Sequence, residues 1–166
     1  PAVHPQGLQW IEHSYKFCHF DWCKEGHNRM AIPMVTPSRS LSGEELEVDE
    51  QLAEMLEPWN LNPDDFRGRE FETREEVQSV KRKLGAKRGY QFEKLFDDQL
   101  TDAYHYNIFP NVTISFAGAE YIGFQRMRPH RRDPERHSYD NFMYLSHGAA
   151  ARIGMTKPEE RRFFEY

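Results

Sequence analysis

Residues 104–117, Tyr-His-Tyr-Asn-Ile-Phe-Pro-Asn-Val-Thr-Ile-Ser-Phe-Ala, contain the pattern that decides the fold class. Two runs rich in β-branched and aromatic residues lie on either side of Pro110, and such runs are typical of strands. Similar runs follow after Gly118 and after a charged turn. The sequence therefore predicts an antiparallel meander of four strands, at 104–109, 111–117, 121–128 and 137–144.

A further hairpin is predicted upstream of the meander. Aromatic residues alternate from Tyr15 to Trp22, and residues 28–35 (NRMAIPMV) form a second apolar run. The polar turn Lys24-Glu25-Gly26-His27 separates the two runs, so we expect paired strands.

A first helix is predicted over Ser42–Glu57, after a loop at 37–41. Ser42 is expected to cap it, with Glu44 and Glu45 favourably placed near the positive end of the helix dipole. The apolar positions of this helix are Leu46, Val48, Leu52, Met55 and Leu56.

A second helix is predicted from Thr73 to about Arg88, because Thr73 and Glu76 have the spacing of a capping box. The basic side chains in its second half are interpreted as a solvated surface that complements the helix dipole. They are Lys81, Arg82, Lys83, Lys87 and Arg88. Shorter helical segments are expected at 7–13 and from Lys157 onward.

These elements predict one α+β domain over residues 1–166, in which helices pack on one side of a curved antiparallel sheet. A pocket between the helices and the sheet would follow from that arrangement. The chain begins with Pro1 rather than Met and ends with Phe-Phe-Glu-Tyr, so we expect both ends to be truncated.

Composition excludes several classes of function. A net charge of -5 and a pI of about 5.9 argue against nucleic acid, whose binding depends on clustered basic residues. The sequence contains no apolar run of membrane-spanning length and no export signal, so a cytoplasmic protein without a membrane anchor is expected.

The two cysteines, Cys18 and Cys23, flank aromatic residues in the first predicted strand. We expect two buried thiols rather than a disulfide, because an isolated pair gives little support for a bridge.

The chain has eight histidines, and most of them lack a potential metal-binding partner at short spacing. His105 follows Asp102 by three residues, which is half of an iron-binding pattern, but Pro110 stands where the next histidine would be. The six histidines that we do not expect to bind metal are His13, His19, His27, His130, His137 and His147.

Four short motifs occur in a characteristic order: His4-Pro5-Gln6, Gly26-His27-Asn28-Arg29-Met30, Phe109-Pro110-Asn111, and Arg126-Met127-Arg128-Pro129-His130. In order and spacing they resemble the catalytic domain of Rieske non-haem iron oxygenase large subunits, which hydroxylate aromatic rings. The resemblance covers nearly the whole chain. It implies a helix-grip fold of the START and Bet v1 type.

The resemblance also implies a mononuclear Fe(II) site held by two histidines and a carboxylate, which leaves coordination positions for O2. His4 would be the second histidine. The first would lie two positions before Pro1, and the carboxylate would follow Tyr166.

The family's [2Fe–2S] cluster resides in an N-terminal domain that this chain does not contain, because the paired Cys-His signatures are missing. The resemblance further implies a reductase or ferredoxin that delivers electrons from NAD(P)H. It also implies a homo- or hetero-oligomer, based on a trimer.

Strand alternation places His105, Asn107 and Phe109 on one face, and the resemblance implies that this face meets the substrate. Thr113 and Ser115 would lie deeper, on the next strand. The alternative is that this face only makes hydrogen bonds within the core.

Two other functions remain open from the sequence. A helix-grip protein could bind an apolar ligand without a metal, and a zinc hydrolase could use His4, although no His-Glu-Xaa-Xaa-His spacing is present. The sequence does not distinguish mono- from dioxygenation and does not identify the substrate.

Overall fold

A computed structural model describes residues 18–39 and 46–155, and these residues form two antiparallel sheets and a helical region. The helices are α1 (Glu50–Leu56), α2 (Thr73–Gly85), α3 (Asp97–Thr101) and α4 (His147–Arg152). The strands are β1 (His19–Trp22), β2 (Asn28–Ile32), β3 (Ser38–Arg39), β4 (Leu46–Glu47), β5 (Ala103–Ile108), β6 (Val112–Ala117), β7 (Tyr121–Pro129) and β8 (His137–Leu145).

The larger sheet has six strands in the order β1-β2-β5-β6-β7-β8, and β3 pairs with β4 in a separate small sheet. The predicted meander and the predicted upstream hairpin are both confirmed. β2 pairs with β5 and joins them into one sheet, with Met30 opposite His105. The α+β class with an antiparallel sheet is therefore confirmed.

The turn between β6 and β7 requires a glycine. Gly118 has a φ of +56°, and a Cβ there would lie 3.0 Å from Lys81 Nζ and 3.3 Å from the carbonyl oxygen of Leu100. Glycine is the residue that adopts this backbone conformation without steric cost. The helical region can therefore approach the end of the sheet closely at this turn.

The first predicted helix starts later than the sequence indicated. Residues 42–45 lie outside the described residues, Leu46 and Glu47 form β4, and α1 begins at Glu50. The cap is Asp49, whose carboxylate accepts a hydrogen bond of 2.8 Å from the amide of Leu52. The interpretation of Ser42 as the cap of a helix running from there to Glu57 is wrong, because the chain is extended at Leu46. The loop predicted at 37–41 also contains β3.

The second predicted helix is confirmed as α2, followed by a 3-10 turn at Ala86–Arg88. The predicted capping box is wrong. The Thr73 hydroxyl donates to the carbonyl oxygens of Val35, at 3.2 Å, and Glu70, at 2.9 Å. Thr73 thus ties the start of α2 to the segment that follows β2.

The core of the described residues lies in the helical region, at one end of the large sheet. Trp59, Tyr90 and Phe92 pack with ring centroids 4.6 to 6.1 Å apart. Ala119 and Leu145 contribute the sheet's side of this contact. The buried members of the core are Val35, Leu52, Leu56, Trp59, Phe66, Val77, Tyr90, Phe92, Leu100 and Ala149.

Lys81 departs most from the expectation of a solvated basic surface. Only 4% of it is exposed, and its ammonium donates to the carbonyl oxygens of Leu100, at 2.6 Å, and Gly118, at 3.0 Å. It also pairs with Glu120 at 2.9 Å, and burial lowers its pKa. The solvated interpretation is wrong for Lys81, which instead joins α2 to α3 and to the β6–β7 turn.

Neither cysteine forms a disulfide, but the expected burial is wrong for Cys23, which is exposed. Cys18 is half-buried, and its burial raises the pKa of its thiol.

α3 and α4 were not predicted. The helical segments predicted at 7–13 and from Lys157 lie outside the described residues. No helix in the described part of the chain is long and apolar enough to span a bilayer.

Candidate functional site

The strand register sorts the side chains of the large sheet onto two faces that differ in charge. Residues opposite each other on neighbouring strands share a face, so the pairs define rows that run across the sheet. We call one face the neutral face. Its histidine row is Met30, His105, Ser115, Gly123 and Met143. Its amide row is Asn28, Asn107, Thr113, Gln125 and Asn141.

His105 is held in the histidine row by Ser115. Its Nδ1 lies 2.9 Å from the Ser115 hydroxyl, so Nε2 remains for another partner. Burial lowers the pKa of His105 from its ordinary value of 6.5. The imidazole is therefore neutral at neutral pH and can donate or accept a hydrogen bond.

Asn107 is fixed in the amide row by partners on both neighbouring strands. Its amide nitrogen donates to Asn28 Oδ1 at 2.7 Å, and its carbonyl oxygen accepts from the Thr113 hydroxyl at 3.1 Å. The structure thus brings together four of the predicted site residues as two bonded pairs, His105 with Ser115 and Asn107 with Thr113. Asn28 was missed as a site residue, although it lies in the Gly26-His27-Asn28 motif.

Phe109, the fifth predicted substrate-binding residue, lies just beyond the end of β5 and is 65% exposed. Its backbone N–H donates to His27 Nδ1 at 3.0 Å, and its ring packs beside Gly26. Two motifs that are far apart in the sequence therefore meet here, and His27 has a hydrogen-bonding role. Phe109 borders the amide row, and a role in substrate binding stays a prediction.

The opposite face, which we call the charged face, carries the ion pairs of the sheet. Asp21 pairs with Arg29, and Asp140 pairs with Arg126 at 2.8 Å and Arg128 at 2.9 Å. These two arginines lower the pKa of Asp140. Aromatic rings lie between the ion pairs, among them Tyr104, Tyr106, Phe116, Phe124 and Phe142.

No group of three or more potential metal ligands occurs within residues 18–39 and 46–155. Asp102, which stands three residues before His105, is bound by Arg74 and by the amide of Met34 at 3.3 Å. The half motif Asp102-Xaa-Xaa-His105 is therefore not a metal pair. The described residues do not form an iron site by themselves, and His4 lies outside them.

The sequence predicted a pocket between the helices and the sheet. A cavity of about 390 Å³ lies at the helical end of the sheet, between residues 89–92, Ala119 and His147. Tyr90 borders it, and the buried Tyr90 hydroxyl has no hydrogen-bond partner among the described residues. None of the predicted site residues lines this cavity.

A family model described as "Ring hydroxylating alpha subunit (catalytic domain)" matches residues 1–166, which include both His4 and the neutral face. No curated protein and no solved structure matches this chain.

Proposed function

The chain belongs to the ring hydroxylating alpha subunit catalytic domain family, and from that premise we propose a specific oxygenase activity. In this proposal, the protein uses mononuclear non-haem Fe(II) and O2 to hydroxylate an aromatic or similarly apolar substrate. The observation that carries it is the neutral face. His105 and Asn107 are each held there by hydrogen bonds, and both lie on the face of the sheet opposite to its ion pairs.

His4 is proposed as an iron ligand. Neutral imidazoles and carboxylates suit Fe(II), which when bound would supply the activation of O2. His4 precedes Cys18, the first described residue, by 14 positions, and each residue spans up to about 3.3 Å. β1 is two strands from β5, roughly 10 Å away, so the chain is long enough to bring His4 over His105.

The residues of the neutral face are proposed to bind and orient the substrate. Ser115 fixes the ring of His105, whose Nε2 would face the substrate, and Thr113 with Asn28 fixes the amide of Asn107. Phe109 would border the bound substrate near the β5–β6 turn. Held side chains of this kind keep a bound molecule in a productive geometry.

The electron supply would come from outside this chain. We propose a [2Fe–2S] cluster in a separate domain, reduced with electrons from NAD(P)H through a reductase or ferredoxin. A trimer-based homo- or hetero-oligomer in the cytoplasm completes the proposal.

The test uses the intact subunit with its electron donors. His4→Ala should abolish mononuclear iron binding and hydroxylation while leaving the spectrum of the cluster unchanged. The matched control is His19→Ala, which replaces an exposed histidine on the charged face. It should retain both iron binding and hydroxylation. Unchanged iron content in His4→Ala would remove His4 from the site.

His105→Ala tests the substrate-binding role separately. It should retain iron and O2 uptake but shift the position of hydroxylation or the choice of substrate, because a fixed hydrogen-bonding group is lost. An unchanged product profile would show that His105 serves only the packing of the sheet.

A metal-free helix-grip protein that binds apolar ligands is the second candidate. This candidate needs only the sheet and helices of the described residues, within which no metal-ligand cluster occurs. An intact protein that binds an apolar ligand, but neither binds iron nor consumes O2, would decide for this candidate.

A further inference from the structure

We propose that the neutral face selects an uncharged substrate, with its apolar body over Gly123 and a hydroxyl, carbonyl or amide group against Gln125 and Asn141. This inference rests on the proposed oxygenase function, which it deepens by naming the substrate class.

The first support is the distribution of charge over the sheet. The histidine row and the amide row contain no Asp, Glu, Lys or Arg, whereas the charged face carries the ion pairs of Asp21 with Arg29 and Asp140 with Arg126. A charged group that leaves water needs a counter-charge or strong hydrogen bonds to compensate for lost hydration. The neutral face offers it no counter-charge, so an uncharged molecule is favoured there.

The second support is Gly123, which lies within β7 between Ser115 on β6 and Met143 on β8. A Cβ at this position would lie 3.7 Å from Ser115 Cβ, which is an ordinary contact. Its φ lies outside the left-handed region, so within the described residues neither the backbone nor the packing requires glycine.

Glycine inside a strand weakens the strand, and it often marks a place where a ligand or another backbone approaches closely. Gly123 lies next to Ser115, which holds His105, so the position without a side chain adjoins the polar pair proposed to bind substrate. Met143, 67% exposed, borders it on the other side. Methionine side chains adapt to apolar ligands, and Gly123 therefore forms the floor on which an apolar ring would lie.

The third support is the division of the amide row into bonded and unbonded members. Asn28, Asn107 and Thr113 bind each other, whereas Gln125 and Asn141 have no side-chain hydrogen bond to any described residue. A carboxamide has both donors and an acceptor, so it can bind a hydroxyl, a carbonyl or another amide. The polar end of the substrate would therefore lie over β7 and β8.

The test compares benzyl alcohol, benzamide, benzoate and benzylamine as probes of equal ring size. The intact iron-loaded subunit is assayed with its reductase for hydroxylated product. The uncharged probes should exceed the charged ones in kcat/KM by at least about tenfold. Equal kcat/KM for benzoate and benzamide would overturn the proposal.

Variants at Gly123 and Gln125 test the roles of these two residues. Gly123→Leu should exclude naphthalene while still accepting toluene, and Gly123→Ala should have an intermediate effect. Gln125→Leu should reduce the preference for benzamide over toluene by about tenfold, because one hydrogen bond is lost. Gln51→Leu, at an exposed position on α1, is the control and should change nothing.

The outcomes separate this inference from the proposed function. The inference alone is overturned if Gly123→Leu hydroxylates with an unchanged limit on substrate size and Gln125→Leu keeps the preference for benzamide over toluene. A wild-type subunit without reductase-dependent O2 uptake on any of these probes overturns the proposed function and the inference together. Iron content and the cluster spectrum of each variant verify that it is folded.

Discussion

The helical region and the large sheet differ in how their side chains are used. The largest fully buried side chains among the described residues are Leu56, Leu100, Val77 and Thr73, and all four belong to the helical region. In the four strands β5–β8, only Ala103 is buried. The difference indicates that the helical region supplies most of the packing energy of the described fold. The neutral face can therefore carry polar side chains that serve binding.

The largest effect is expected in the core of the helical region. Leu100 is 0% exposed, and Leu100→Ala should lower the free energy of unfolding by about 2 to 5 kcal/mol, because it removes buried methyl groups and leaves a cavity. Phe71→Ala, at a residue that is 74% exposed, is the control and should cost less than about 1 kcal/mol. Denaturant unfolding of the intact subunit measures both, and equal losses would show that the buried helical core contributes no more to stability than an exposed residue.

A smaller loss is expected at Lys81, which connects the two regions. Lys81→Met keeps most of the aliphatic chain but leaves the carbonyl oxygens of Leu100 and Gly118 without their donor. It should therefore lower the free energy of unfolding by about 1 to 3 kcal/mol. Lys83→Met, on the exposed side of α2, should be close to neutral in the same unfolding experiment. A neutral Lys81→Met would show that packing alone holds α2 against the β6–β7 turn.

The sheet could be predicted from the sequence because its signals are local. The alternation around His105 and Asn107 determines which side chains share a face, and the turns at Pro110 and Gly118 separate the strands. The sequence placed Thr113 and Ser115 on the strand next to His105 and Asn107, but it did not predict which of these side chains are paired. Asn28 was missed because its place in the amide row depends on the pairing of β2 with β5, which lie far apart in the sequence.

The helical region was harder to predict because distant partners decide its details. Thr73 has the spacing of a capping residue, yet its hydroxyl binds the carbonyl oxygen of Val35, 38 residues away. Lys81 lies in a basic run, yet its partners come from α3 and the β6–β7 turn. Local patterns cannot distinguish a charge in solvent from one that is buried by residues folding in from elsewhere.

On the neutral face, the loss of one hydrogen bond should have a small effect on stability and a clear effect on which product forms. Ser115→Ala removes the bond to His105 Nδ1 and should cost about 0.5 to 1.5 kcal/mol. Because the ring of His105 is then free to turn, the product profile should shift in the same direction as the shift expected for His105→Ala. Ser138→Ala, at an exposed position of β8 on the charged face, should alter neither property. A large stability loss at Ser115 without a change in products would assign this pair to packing.

The smallest effect is a dependence of stability on pH that arises from His105. Burial lowers the pKa of folded His105 below 6.5, so in the window between that lowered pKa and 6.5 the unfolded chain binds more protons than the folded chain. Stability from this group is therefore complete above about pH 6.5 and decreases as the pH falls through the window.

The unfolding free energies of the wild type and His105→Gln should thus differ by a constant amount above neutral pH. At about pH 5 the wild type should be less stable relative to His105→Gln than it is at neutral pH. Denaturant midpoints at several pH values measure this difference, and His19→Gln, on the charged face, is the control. A difference that does not change with pH would mean that His105 is as well solvated in the folded state as in the unfolded state. The neutral face would then be an ordinary wet surface, and the contrast between a stabilising helical region and a binding sheet would lose its main support.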